Sequence, residues 1–414
     1  MKIQSLRGMP DLFPEDLERW HLFESKLVKV FNSFNTHQIR VPFLESTELF
    51  LRSVGAASDI VNKELYSFLD RNEESICLRP EGTAGVIRAI IQKKQEQETH
   101  KFWYQGPMFR YERPQKGRLR QFHQIGVEYL GFEEGISEYE LISMVIQINQ
   151  SIGIKDYTLK VNHLGDEQAK ENFSKALVSF LKPHIDDLHE KDQSRLNSNP
   201  MRILDSKEQS TQILLEGAPK FQDFISESSN KFLQDLIDAF KDQCNIQIDH
   251  SLVRGLDYYS GIVFEAVSED LGAQDAFLGG GRYDNLSQQL GGKQMHAIGF
   301  AIGVERILEL FDTQNIKQPP KVGFIVTGEQ IPKKTCKIAQ DLRVANNKII
   351  LQTFLSNGSL KSQLRKANKN NCNFVIIIGD TELKNEQVIW KDLSEDGDQE
   401  LLTLQEITDK YINL

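Results

Sequence analysis

KFWYQGPMFRYERPQKGRLRQFHQIGVEYLG, residues 101–131, is the stretch whose reading decides the fold. Residues 101–111 and 119–130 are rich in the aromatic and β-branched side chains that suit a pleated surface, and predict the two strands of a hairpin. Pro114 and Gly117 mark a tip that cannot continue the ladder. Across Arg110, Arg113, Lys116, Arg118 and Arg120, from the end of one strand to the start of the next, there is one acid, Glu112. Guanidinium groups are planar, permanently charged and bidentate, so such a loop suits phosphate oxygens. A merely solvated basic hairpin would have the same composition. The second strand weighs against that: Phe122, Gln124, Gly126 and Glu128 alternate with Gln121, His123, Ile125 and Val127 and share one face. A ring, an amide and a carboxylate in a row suit a pocket that stacks one flat group and hydrogen-bonds another.

Working outward, apolar periodicity predicts an amphipathic helix over 14–35 and a strand over 39–43. Residues 66–69 and 76–78 flank a polar turn, and Thr83 is placed to cap a helix running through Ile91. Residues 166–245 are polar and helical in pattern, an inserted helical subdomain whose most distinctive run is RLNSNPMRILDSK, 195–207. Antiparallel patterning resumes at 246–252 and 261–267. TQNIKQPPK, 313–321, interrupts all periodicity and marks a boundary between 1–320 and 321–414. Beyond it, buried strands at 322–327, 349–353 and 374–378 alternate with helices at 332–345 and 359–370. This β-α-β-α-β order implies a parallel, three-layer domain. It carries neither GxGxxG nor GxxxxGK[ST], which weakens a nucleotide-binding reading of that domain.

Length and composition are compatible with this layout: 414 residues allow two or three domains. There is no apolar run long enough to span a membrane, and the N-terminus lacks the apolar core of a secretory signal. Cys77, Cys244, Cys336 and Cys372 are far apart, and are expected to be reduced cytosolic thiols rather than zinc ligands or a disulfide frame. The net charge of -10 is unevenly distributed: 13 basic and 12 acidic residues follow residue 320, against 36 and 47 before it. Residues 333–369 hold nine basic residues opposed only by Asp341, the pattern of a phosphate-backbone footprint or of two solvated helix faces.

The 101–131 hairpin resembles motif 2 of class II aminoacyl-tRNA synthetases, in the version found in histidyl-tRNA synthetases. Residues 39–45 resemble motif 1, whose proline, here Pro42, lies at the dimer interface in the family. HAIGFAIGVERIL, 296–308, resembles motif 3, and RGLDYYS, 254–260, with GGGRYD, 279–284, resembles the two histidine-specific signatures. These matches, with RGMPD at 7–11, cover nearly the whole chain in the family's order. The resemblance implies an α+β fold with an antiparallel sheet flanked by helices, a helical insertion, and a C-terminal α/β anticodon-binding domain. It implies a cytoplasmic homodimeric ligase that activates L-histidine with ATP, accompanied by Mg2+ and without a tight metal site, and transfers it to histidine tRNA. A non-catalytic paralogue, the regulatory subunit of a histidine-biosynthetic ATP phosphoribosyltransferase, is the alternative. Such subunits generally lack the anticodon domain and have eroded histidine motifs, whereas both are present here.

Residue by residue, the resemblance gives Arg110 and Arg254 the α-phosphate, Arg254 taking the place of a metal ion used by other class II enzymes. A structural salt bridge is the plainer alternative for each. Phe122 and Arg306 would sandwich adenine, and Arg118 would reach the outer phosphates. Glu112 would meet either adenine or the magnesium shell. Glu81, Gly82, Thr83 and Gln124 would surround the polar end of histidine, and Glu128, Tyr258 and Tyr259 its imidazole. Gly279 to Gly281 would allow close approach of the ring, or simply form a turn. Gln115 and Arg120 are candidates for the acceptor end of tRNA.

Overall fold

The computed structural model describes residues 3–414 except 56, 57, 59, 205, 207, 255, 257, 313–318, 328–331, 355–357, 395 and 396. The chain divides into two units, Met1–Thr313 and Gln314–Leu414. Most of the 313–321 boundary segment therefore lies outside the described residues.

The first unit contains β1 His37–Gln38, β2 Leu44–Ser46, β3 Tyr66–Leu69, β4 Ser75–Leu78, β5 His100–Phe109, β6 Gln121–Leu130, β7 Thr158–His163, β8 Asn245–Ile248, β9 Ser260–Val267, β10 Ala276–Arg282 and β11 Ala297–Gly303. Among the described residues, eight of these form one sheet in the order β1-β5-β6-β11-β10-β9-β7-β8, and β2-β4-β3 form a smaller one. The β5–β6 hairpin pairs without slippage from His100 opposite Leu130 to Phe109 opposite Gln121. Its strands stop short of the arginine-rich loop, which closes on a bridge between Gln115 and Arg118, with Gly117 at φ +72°.

One register row explains why this sheet is hollow at its centre. Tyr104, Gly126, Ala301, Gly279, Glu265 and Lys160 follow one another across β5, β6, β11, β10, β9 and β7. Directly opposed residues share a face, so three consecutive strands present almost no side chain there, while larger groups stand on either side. A floor without Cβ bulk leaves room above it for side chains arriving from elsewhere.

The helix Pro14–Ser33 buries Trp20, Phe23, Leu27, Val30 and Phe31, its apolar stripe, and Phe31 stacks on Trp103 at 5.1 Å. Each such buried side chain contributes roughly 1.5–3 kcal/mol. Among the described residues, the segment between β7 and β8 contains the four α-helices Glu167–Leu181, Glu190–Ser198, Gln209–Leu215 and Glu227–Phe240, with short 3-10 helices between them. Phe173 and Leu177 of the first of these helices, with Ile203 and Phe221 from the short 3-10 turns between helices, belong to the same buried cluster as Val253, Tyr258 and Tyr259, so this segment shares the core of the sheet's site.

Three local expectations change. Residues 39–43 are not a strand: the ladder ends at β1, apart from the Ile39 N–H to Trp103 carbonyl bond of 2.9 Å, and the carbonyls of Val41 and Phe43 accept instead from the side chain and backbone of Arg79. Thr83 does not cap its helix. Gly82 occupies the cap position, and the Glu81 carboxylate accepts from the N–H groups of Thr83 and Ala84 at 2.5 and 2.9 Å. The strand from Ile246 is not antiparallel to its neighbour, because β8 returns from the helical segment to pair parallel with β7.

The second unit contains β12 Lys321–Val326, β13 Ile350–Thr353, β14 Phe374–Ile378, β15 Gln387–Asp392 and β16 Gln399–Thr403, in the order β13-β12-β14-β15-β16. The first three are parallel, as the β-α-β-α-β pattern predicts, but β15 and β16 add antiparallel pairs. Trp390 fixes this addition, buried and stacked on Phe374 at 4.8 Å. Apolar side chains are buried on both faces of the sheet. Among the described residues, no helix is long and apolar enough to cross a membrane.

Candidate active site

The hollow in the large sheet is the floor of a cavity of about 490 Å³. Arg110, Glu112, Arg118, Phe122, Gln124, Arg254, Tyr258, Tyr259 and Arg306 all line it, with Glu81 and Thr83. Side chains from five separate places in the sequence therefore converge on one space.

Behind one end lies Glu128, 1% exposed; neither it nor Gly82 lines the cavity, but its partners Thr83 and Tyr283 do. Thr83 Oγ1 donates to its Oε1 at 2.7 Å and Tyr283 Oη donates to its Oε2. Burial pushes its carboxyl up to about 8, although the hydroxyls of Tyr283 and Thr83 pull the other way. Burial likewise raises Glu81, against the opposing helix amides and Arg110. Tyr258, Tyr259 and Tyr283 form an aromatic wall, with ring centroids 4.7 to 6.3 Å apart. Gln124 Oε1 is buried without a hydrogen-bond partner, an unusual state that a ligand N–H would relieve.

The glycines serve the protein's own side chains. A Cβ on Gly279 would overlap the Arg254 guanidinium, and one on Gly299 would overlap the Glu128 carboxylate. Gly279 thus does not present bare backbone to a ligand ring: Arg254 occupies the space above it. Arg254 Nη1 pairs with Glu265, while its Nε is buried without a hydrogen-bond partner. Burial works against its charge, but Glu265 and Tyr259 outweigh that and raise its pKa.

The other end is built from cations held by the protein itself. The Arg110 guanidinium lies over the Phe122 ring at 5.2 Å, and its Nε donates to the Pro80 carbonyl at 3.0 Å. Arg306 stands on the helix Val304–Leu310 and donates to the carbonyls of Gly117 and Ala276 at 2.9 and 2.7 Å. Burial and the neighbouring Arg118 lower its pKa. Arg118 faces Glu112 at 3.2 Å. Beside Arg306, both oxygens of Glu305 accept from the His123 N–H at 3.0 Å, which ties this helix to β6.

Gln115 and Arg120 do not line the cavity. Gln115 is held by paired backbone bonds with Arg118. Arg120 lies over the Tyr111 ring at 3.9 Å and donates from Nε to the Glu112 carbonyl at 3.1 Å, so it supports the loop's own shape. In the second unit, Lys361, Arg365 and Lys369 are exposed on one face of the helix Leu360–Lys369, whereas Arg343, also exposed, is tied by hydrogen bonds to the Leu351 carbonyl and Thr353 Oγ1. Among the described residues, no group of three or more His, Cys, Asp or Glu is arranged to hold a metal.

Sequence reasoning missed Tyr283, Glu265 and Leu204. Tyr283 lay in the 279–284 signature, but its partner is remote in sequence. Glu265 offered a signal as the lone carboxylate in the apolar strand β9. Leu204, which the helical segment contributes to the cavity, offered none.

Comparison with known proteins agrees with this geometry. A family model described as Histidyl-tRNA synthetase matches residues 8–307, and one described as Anticodon binding domain matches 321–414. A histidine–tRNA ligase of Francisella philomiragia is 42% identical, with 98% of this chain and 97% of that protein aligned. The structure of apo histidyl-tRNA synthetase from S. aureus superposes with a TM-score of 0.82 at 32% identity, covering 99% of this chain and 100% of that one. A Bacillus halodurans protein titled ATP phosphoribosyltransferase regulatory subunit/histidyl-tRNA synthetase has a TM-score of 0.65 at 20% identity, covering 92% and 99%, a likeness of fold alone.

Proposed function

The chain belongs to the histidyl-tRNA synthetase family, and from that premise we infer its chemistry: it is a histidine–tRNA ligase that activates histidine with ATP and transfers it to tRNA. The observation that carries this reading to the residues is the pair of unpartnered buried atoms, Gln124 Oε1 and Arg254 Nε, on two residues that line one cavity. One suits an ammonium group and the other a phosphate oxygen.

In the first step the histidine carboxylate attacks the α-phosphorus, and charge grows on that phosphate as pyrophosphate leaves. Arg254 and Arg110 supply fixed cations for this charge; Arg254 is already held in place by Glu265, so little reorganisation accompanies reaction. Glu128, with Thr83 and Tyr283 fixing its two oxygens, reads the imidazole, and Tyr258 and Tyr259 shape the pocket around it. Glu81 and Gln124 receive the ammonium group, and the Gly82–Thr83 turn brings Glu81 to it. Phe122 and Arg306 take adenine between them once Arg110 leaves the Phe122 face for phosphate. Arg118 moves to the outer phosphates on the same occasion, releasing Glu112 to meet the water shell of Mg2+ that arrives with ATP.

The division of labour follows the two units: catalysis in residues 1–320, including the helical insertion at about 166–245, and anticodon binding in 321–414. Lys361, Arg365 and Lys369 support backbone contacts there, while Gln115 and Arg120 are offered to the acceptor end by the loop. The exposed side chains of Phe43, Leu44, Phe68 and Leu69, around the smaller sheet, support a homodimer that covers them. The four free cysteines fit work in the cytoplasm. The reading is tested by charging histidine tRNA with labelled histidine and ATP. Acid-precipitable, base-labile label is expected; its absence with folded protein would favour the regulatory paralogue.

A further inference from the structure

A second cavity, of about 90 Å³, adjoins the first and shares Arg254 and Tyr259 with it. Its other walls include Lys170, Asn199, Met201 and Arg202 from the helical segment, so three cations surround a space of about three water volumes. Among the described residues, no carboxylate lines it. Lys170 is mostly buried and pairs with the exposed Glu167 at 2.8 Å, which leaves its charge only partly offset within the cavity. Met201 and Leu204 pack on the cluster that holds Tyr258 and Tyr259, so the helical wall is anchored to the site rather than hinged over it.

We propose that this smaller cavity binds the phosphodiester that joins the terminal adenosine of tRNA to the preceding nucleotide, through Lys170, Arg202 and the far side of Arg254. The proposal rests on the ligase reading. The ribose hydroxyl that accepts the histidyl group is one sugar away from the 5′ phosphate of the same nucleotide. An anion pocket beside the phosphate-activating arginine, but outside the nucleotide cavity, is where that charge falls when the hydroxyl reaches the adenylate. The size fits one phosphate and excludes a second nucleotide. Charge-assisted contacts to a phosphate oxygen position the acceptor without acting on ATP.

The test uses the full-length Lys170→Ala/Arg202→Ala protein in two assays. Histidine-dependent pyrophosphate exchange, which needs no RNA, is expected within about twofold of the parent and reports that the fold and the ligase reading are intact. Single-turnover transfer from preformed adenylate to histidine tRNA is expected to slow by about 10- to 100-fold. Lys170→Arg/Arg202→Lys should recover most of it. An acceptor-stem RNA with a neutral methylphosphonate at the terminal linkage should slow the parent similarly and the Ala/Ala variant hardly further. Full additivity of RNA and protein changes, or unaltered transfer by the Ala/Ala variant, overturns the proposal. So does an equal fall in exchange and transfer, which would assign the cavity to pyrophosphate or to packing. Exchange that is absent already in the parent would instead refute the ligase reading.

Discussion

The two ends of the large cavity solve opposite problems. At the Glu128 end, the carboxylates are held before any ligand arrives and Gln124 Oε1 is left without a partner: Thr83 and Tyr283 hold Glu128, Glu81 is fixed by a helix terminus, and glycines make the room. At the Phe122 end, the groups proposed for ATP are engaged with protein partners. Arg110 covers the ring, Arg306 holds the Gly117 carbonyl and Arg118 faces Glu112. On the proposed reading, the first end would discriminate by fixed hydrogen bonds and reject an analogue that leaves them unmade. The second would exchange partners and couple ATP binding to the conformation of the arginine loop. Arg254 lies between them, rigid like the first and aimed at the chemistry of the second.

The largest expected effect lies at that junction. Arg254→Ala should lower single-turnover adenylate formation by about 10² to 10³ while changing histidine affinity little. Gly279→Ala should lose a good part of the same factor, since its Cβ would displace the Arg254 guanidinium. Near-normal rates in both would make Arg254 a structural ion pair. Next, Glu128→Ala should raise the histidine requirement by about 10- to 100-fold and leave that for ATP nearly constant, whereas Phe122→Ala should do the reverse with a smaller factor. Paired titrations in pyrophosphate exchange check this, and variants that shift both substrates equally would erase the distinction between the ends.

In the second unit, Lys361→Glu/Arg365→Glu/Lys369→Glu should raise the tRNA requirement about tenfold or more at low salt, less at high salt, with exchange unchanged. Aminoacylation measured over a salt series decides it; a salt-independent defect would point to misfolding of that unit. The smallest effect concerns pH. Glu128 has a folded-state value near 8 against an unfolded value of about 4.5, so its contribution to stability is complete below the unfolded value and is lost as pH rises through about 8. Glu128→Gln, which cannot ionise, should therefore gain on the parent from about pH 5 to 8, by at most about 1.4 kcal/mol per pH unit, and level off above that. Melting temperatures of the two proteins across that range should converge or cross in this direction, and a gap that is flat with pH would place the carboxylate in water.

What the sequence made legible was whatever local pattern carries. The hairpin, its arginines and the shared face of Phe122, Gln124 and Glu128 follow from period-two alternation and turn residues. Less legible were partners chosen by topology. Nothing in the 279–284 signature says that Tyr283 meets Glu128, 155 positions away, or that Gly279 yields space to Arg254. The direction of β8 was hidden for the same reason, because a strand's composition does not tell which neighbour it meets after four helices. Thr83 was read as a cap because Thr commonly is one; Glu81, two residues earlier, took that place and left the hydroxyl for Glu128.

The most direct test of the whole account is ATP–pyrophosphate exchange with each of the twenty amino acids offered separately. A cavity in which Glu128, Thr83 and Tyr283 are fixed in advance around one ring should support exchange with histidine alone. Exchange with another amino acid at a comparable rate, or with none in a folded protein that binds ATP, would contradict it.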